Sequence, residues 1–183
     1  MKKNFINISN HPSSGWGTKQ LFSAGVLGAP LVTKCCRAAT ESPDEELIFC
    51  AQCGAEEPEM TPVILDIPFP RVPADAGTED IIKLAKSLVM DIRQAIGTSN
   101  ISGSIIHLMG EQSLCFILAQ MLIHQECSVV VSTTERIVET DENGVKKSTF
   151  RFVRFRPLQL WSPEPYYEPS DVDEFERHRE PWL

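Results

Sequence analysis

Ser104-Ile105-Ile106-His107-Leu108-Met109-Gly110-Glu111 leads into the apolar segment Leu114–Ile123, and Ser128-Val129-Val130-Val131 follows. A short apolar run, a polar exit with a glycine, a longer apolar segment and a second apolar run spell strand, helix, strand. Strands this apolar are buried on both faces, which is the habit of a parallel sheet with helices on either side. The stretch therefore predicts an α/β domain.

The same rhythm extends outward. Val63-Ile64-Leu65-Asp66-Ile67 predicts a strand, stopped by Pro68-Phe69-Pro70. Thr78-Glu79-Asp80 then opens a helix with an acidic first turn, and Gly97 closes it. Between them Ile81, Ile82, Leu84, Ala85, Leu88, Val89, Ile92 and Ile96 recur at helical spacing, so one face is buried. Phe5-Ile6-Asn7-Ile8 predicts the first strand, and Ser13 or Ser14 a cap for a helix over Trp16–Val26 that ends at Gly28 and Pro30. On the far side, Ile137-Val138 and Phe150-Arg151-Phe152-Val153 flank Asp141-Glu142-Asn143-Gly144, a hairpin signal. Right-handed crossovers predict the strand order 2-1-3-4, with a switch point between the first and third strands.

Two regions stand apart. Residues 29–61 interrupt the rhythm and read as an insert holding Cys35, Cys36, Cys50 and Cys53. Cys50-Ala51-Gln52-Cys53-Gly54 resembles one knuckle of a zinc ribbon. Adjacent Cys35 and Cys36 are poor geometry for one tetrahedral ion, so free thiols or redox pairing weigh more here than structural zinc. Cys115 and Cys127 lie in apolar surroundings and read as buried thiols. After Trp161 come prolines, acids and no periodicity. The expected organisation is a domain over 1–161, with its insert, and an acidic flexible tail over 162–183.

The net charge is −8, and residues 162–183 carry seven acidic side chains against Arg177 and Arg179. An acidic chain is a poor general binder of duplex nucleic acid, whose grip depends on many Lys and Arg contacts to phosphate. No apolar run is long enough to span a bilayer and the first residues lack a signal peptide's apolar stretch, so a cytoplasmic protein without a membrane partner is expected. There is no Walker-type loop and no G-x-G-x-x-G, which removes support for a nucleoside triphosphatase or a dinucleotide enzyme.

In open α/β sheets, ligands sit beyond the carboxyl ends of the strands. Three polar segments are expected there: Ser9-Asn10-His11-Pro12-Ser13-Ser14, Met109-Gly110-Glu111, and Ser132-Thr133-Thr134-Glu135-Arg136. Helix starts offer free backbone N–H groups to an anion, and Gly110 allows close backbone approach. Each signal also has a structural reading. Ser13 and Ser14 could simply cap a helix, Thr133 and Thr134 could end a strand, and Glu111 suits a helix start without any ligand. Arg136, Arg151, Arg154 and Arg156 could form the solvated side of a hairpin. His107 inside a strand and His124 at a helix end read as structural.

Five segments in combination carry a family likeness: Ile6-Asn7-Ile8-Ser9-Asn10-His11-Pro12-Ser13-Ser14-Gly15-Trp16, Asp66-Ile67-Pro68-Phe69-Pro70, His107-Leu108-Met109-Gly110-Glu111, Ser132-Thr133-Thr134-Glu135-Arg136, and Phe150-Arg151-Phe152-Val153-Arg154-Phe155-Arg156. They resemble a small CRISPR-associated family of Rossmann-like proteins, related to the CARF domains of type III systems, some of which are ring nucleases. The likeness omits the insert and the tail. It implies a homodimer that binds a cyclic oligoadenylate, first of all cyclic tetra-adenylate, and opens it without a metal to switch off type III signalling. His11 and Arg136 are then the expected catalytic residues. Ser9, Asn10, Ser13, Ser14, Gly110, Glu111, Ser132, Thr133, Thr134 and Arg154 are expected to hold the ligand. The alternatives are a sensor or sequestering protein that binds the ring uncut, and a zinc-stabilised interaction module.

Overall fold

A computed structural model describes residues 4–41, 48–140 and 146–160. The acidic tail and the turn at Asp141–Gly144 lie outside the described residues.

The described residues form a mixed α/β structure built on a five-stranded, mostly parallel sheet with three helices. Strand β1 (Phe5–Ser9) lies between β6 (Leu65–Pro68) and β7 (Ile105–Leu108), both parallel to it. Next to β7 runs β8 (Ser128–Thr140), also parallel, and β9 (Lys146–Pro157) closes the edge antiparallel to β8. The order across the sheet is β6-β1-β7-β8-β9.

Alternation along β1 and β7 sorts side chains to two faces. Ile6, Ile8, Ile106 and Leu108 point to one core, shared with α2 (Thr78–Ile96) and α3 (Gln112–Ile123). Helix α2 supplies Ile81, Ala85, Leu88, Val89 and Ile92, and each large side chain buried this way is worth about 1.5–3 kcal/mol. The helix ends where Gly97 turns left-handed at φ 74°, its N–H bonded to the Arg93 carbonyl. Phe5, Ile105 and Val130 point the other way, to a smaller core with Trp16, Phe155 and Ala24 of α1 (Thr18–Leu27). Between α1 and β6, β2 (Leu31–Thr33) pairs with β5 (Met60–Pro62) and β3 (Thr40–Glu41) with β4 (Phe49–Cys50), each pair antiparallel.

Two local expectations change. Ser13 and Ser14 do not cap α1, which starts after Gly17; they lie in a short 3-10 turn, Ser13–Gly15. The Ser13 hydroxyl is spent instead on Asp66, across the sheet. Ser132–Arg136 is strand, not loop, because β9 continues to offer a partner beyond the end of β7. A bulge between Thr133 and Thr134 re-aims the ladder at that point. No helix among the described residues is long and apolar enough to cross a membrane.

Candidate functional site

The carboxyl ends of β1 and β7 open into a cleft of about 510 Å³, lined from the loop after β1 by His11, Gly15 and Trp16. From the sheet come His107, Ser132 and Thr134, from the exit of β7 Met109, and from β9 the rings of Phe150 and Phe152.

Beneath the cleft runs a row of polar side chains. Asp66, Asn7 and His107 occupy the same register on three neighbouring parallel strands, so all three face the same way. The Asn7 amide nitrogen donates to Asp66 Oδ1 at 2.7 Å and to the His11 carbonyl at 2.9 Å. Two acceptors fix the orientation of that amide, so its oxygen faces His107 Nδ1 at 2.7 Å. On the opposite side of the ring, His107 Nε2 lies 2.8 Å from Ser132 Oγ. Trp16 and Phe155 wall the imidazole edge-on, with centroids at 5.3 and 5.1 Å. Burial pushes the His107 pKa down to about 4, and the charge of nearby His11 adds to the effect.

The loop after β1 is tied down through its backbone. The His11 carbonyl accepts from Asn7, from Ser9 Oγ at 2.9 Å and from Trp16 Nε1 at 3.3 Å. Asp66 receives the Ser13 N–H at 2.9 Å and the Ser13 hydroxyl at 2.7 Å. The chain is thus fixed while the His11 side chain stays exposed in the cleft.

The other expected residues divide. Ser132 and Thr134 line the cleft. Ser9 is buried in the loop network, and Asn10 and Ser14 are exposed beside it. Arg136 pairs with Phe150 across the hairpin and so shares the face of that cleft-lining ring, further out; its guanidinium bonds Ser148 Oγ at 2.9 Å. Thr133 is turned aside, its hydroxyl donating to the Arg154 carbonyl at 3.1 Å. Arg154 lines a separate groove with Phe22 and Val26. Glu111 caps α3 itself, accepting from the Ser113 and Leu114 N–H groups at 3.0 and 2.9 Å, and these bonds hold its pKa below the ordinary carboxylate value. The start of α3 therefore has its anion already.

Gly110 is required for packing. A Cβ there would stand 2.3 Å from the ring of Phe69, which is buried. Gly110→Ala should cost about 1–3 kcal/mol in urea unfolding, the usual penalty for overpacking. An unchanged midpoint would show that Phe69 can move aside.

Asn7 and Asp66 are the residues that sequence reasoning passed over, and His107 it read as structural. Their signal is one polar residue flanked by apolar ones in each of three strands, Ile6-Asn7-Ile8, Leu65-Asp66-Ile67 and Ile106-His107-Leu108.

The four cysteines meet on two tight turns. Cys35 and Cys36 sit on the turn that Arg37 N–H closes onto the Thr33 carbonyl, and Cys53 on the turn that Gly54 N–H closes onto Cys50. All four sulfurs lie within 4.8 Å of one another, and Cys35 and Cys53 are 3.7 Å apart. Such a cluster could hold a metal such as zinc. None of these cysteines lines the cleft.

Comparison with known proteins adds a family. A model described as the uncharacterized protein MJ1673 family matches residues 52–156, more than half of the sequence. The chain belongs to that family. The matched region runs from the second cysteine turn through β9 and includes Asp66, His107 and Ser132; β1 with Asn7 and His11 precedes it. No curated protein and no solved structure matches the chain.

Proposed function

We propose that the cleft binds a cyclic oligoadenylate, with cyclic tetra-adenylate the first choice, and opens it by attack of a ribose 2′-hydroxyl. In this reading the domain is Rossmann-like and CARF-related, and the activity ends type III CRISPR signalling. The observation that carries it is one cleft beyond the strand ends in which an exposed imidazole, hydroxyls and aromatic rings converge. Phe150 and Phe152 offer faces on which adenines stack. Ser132 and Thr134 offer hydroxyls to ribose and base edges. The ring is close to two-fold symmetric, so two copies of the cleft in a homodimer suit it, and the projecting β8–β9 hairpin provides a surface for pairing.

The reaction asks for alignment, charge stabilisation and two proton transfers. The 2′-hydroxyl gives its proton to a base lining the cleft and its oxygen bonds to its own 3′-phosphorus, while the bond from phosphorus to the 5′-oxygen breaks. The products are a 2′,3′-cyclic phosphate and a 5′-hydroxyl. His11 gives the leaving 5′-oxygen its proton. Arg136, on the outer part of the same hairpin face, meets the phosphate charge once a ligand draws it from Ser148. Protein incubated with cyclic tetra-adenylate in EDTA should yield linear products on chromatography. Tight binding without cleavage would make it a sensor or sequestering protein. Neither binding nor cleavage would end this reading of the cleft.

The cysteine cluster holds a structural zinc ion in this proposal. Tetrahedral zinc with bonds of about 2.3 Å to sulfur sets its ligands roughly 3.8 Å apart, close to the spacing of Cys35 and Cys53. The ion cross-links the two turns between α1 and β6 and takes no part in the cleft's chemistry.

A further inference from the structure

We infer that Ser132, His107 and Asn7 form a proton relay, in which the Ser132 hydroxyl meets the substrate and His107 and Asn7 act through it. The hydrogen bonds leave one consistent arrangement. The Asn7 oxygen can only accept, so His107 carries its proton on Nδ1 and presents a lone pair at Nε2. Ser132 Oγ, 2.8 Å away, must then donate to Nε2. Its own lone pairs are left to accept from a donor in the cleft, which Ser132 lines. A hydroxyl bonded to a base, with the base oriented by a third group, is the arrangement that activates serine nucleophiles on unrelated folds.

Here the third group is an amide, which fixes the tautomer without supplying charge. Asp66 holds that amide from behind at 2.7 Å. His107 meets Asn7, Ser132, Trp16 and Phe155, with His11 across the cleft, so among the described residues no carboxylate touches the ring. The relay rests neutral, and the negative charge of a bound phosphate favours the imidazolium that forms on turnover. For the ring substrate, a use that rests on the proposed function, the 2′-hydroxyl proton moves to Ser132 Oγ as the Ser132 proton moves to His107 Nε2. The 2′-oxygen bonds to phosphorus, the bond to the 5′-oxygen breaks, and His11 protonates that oxygen. His107 then returns its proton to solvent.

The relay can be tested without the ring, using diisopropyl fluorophosphate. Serine Oγ bonds to phosphorus, fluoride leaves, and the hydroxyl proton passes to His107. One adduct per chain is expected, mapped to Ser132 by tandem mass spectrometry. The rate should be flat from about pH 6 to 8 and fall towards pH 4 as His107 is protonated. His107→Gln should slow labelling at least about a hundredfold. If that variant does not fold, the wild-type pH profile decides alone. No adduct at Ser132, labelling unaffected in a folded His107→Gln protein, or a rate climbing tenfold per pH unit to pH 8 would each overturn the relay. In a second arm, Ser132→Ala should open cyclic tetra-adenylate about 10²–10⁴-fold more slowly while still binding it, and Ser132→Thr should recover most of the rate. If wild type leaves the ring intact, the ligand assignment falls and the labelling still judges the relay. If wild type opens it and Ser132→Ala does so equally fast, the relay falls and the ligand stands.

Discussion

His11→Ala should slow the opening of cyclic tetra-adenylate by about a hundredfold to ten-thousandfold, the range expected for losing a positioned proton donor. The substitution removes little else. What anchors this loop is the His11 carbonyl, held by Asn7, Ser9 and Trp16, and alanine keeps that carbonyl. The imidazole itself is exposed, so the variant should unfold at the wild-type urea concentration. Single-turnover rates at saturating ligand separate a loss of chemistry from a loss of binding. A variant as fast as wild type would take the acid role away from His11 and leave it a wall of the cleft.

The second large effect concerns the cysteines. Purified protein should hold one zinc per chain, and a Cys50→Ser, Cys53→Ser double variant should hold none. Structural zinc on thiolates binds with an apparent free energy of about 10–16 kcal/mol near neutral pH, so micromolar protein should be fully loaded. Loss should be felt locally. Thr33, buried against Cys50, and the β2–β5 pair should gain amide exchange, whereas β1, β7 and α2, with their own apolar cores, should not. Metal analysis finding no zinc in protein prepared without chelator would return these residues to free thiols.

The main sheet was legible because β1, β7 and the start of β8 are short, predominantly apolar runs, and such runs leave few alternatives. The faces of α2 could be read from its spacing for the same reason. What escaped were relations between distant segments. Ser13 precedes a helix and looks like a cap, but Asp66, far along the chain, competes for its hydroxyl and wins. Ser132–Arg136 is polar and looks like a loop, but a long antiparallel partner keeps it extended. His107 looked structural because a lone histidine in an apolar strand usually is. Its meaning depends on the register that sets it between Asn7 and Ser132, and no local pattern carries that register. The cysteines were judged by spacing, whereas two separate turns bring their sulfurs together.

The central claim is that the nucleophile is the ligand's own 2′-hydroxyl, and the origin of the oxygen in the product tests it most directly. Protein and cyclic tetra-adenylate would be mixed in water enriched in ¹⁸O, quenched within the first turnover and analysed by mass spectrometry. The account predicts a linear product ending in a 2′,3′-cyclic phosphate with no heavy oxygen. A first-turnover product that ends in an open phosphate carrying one ¹⁸O would mean that water attacks phosphorus, and would contradict it.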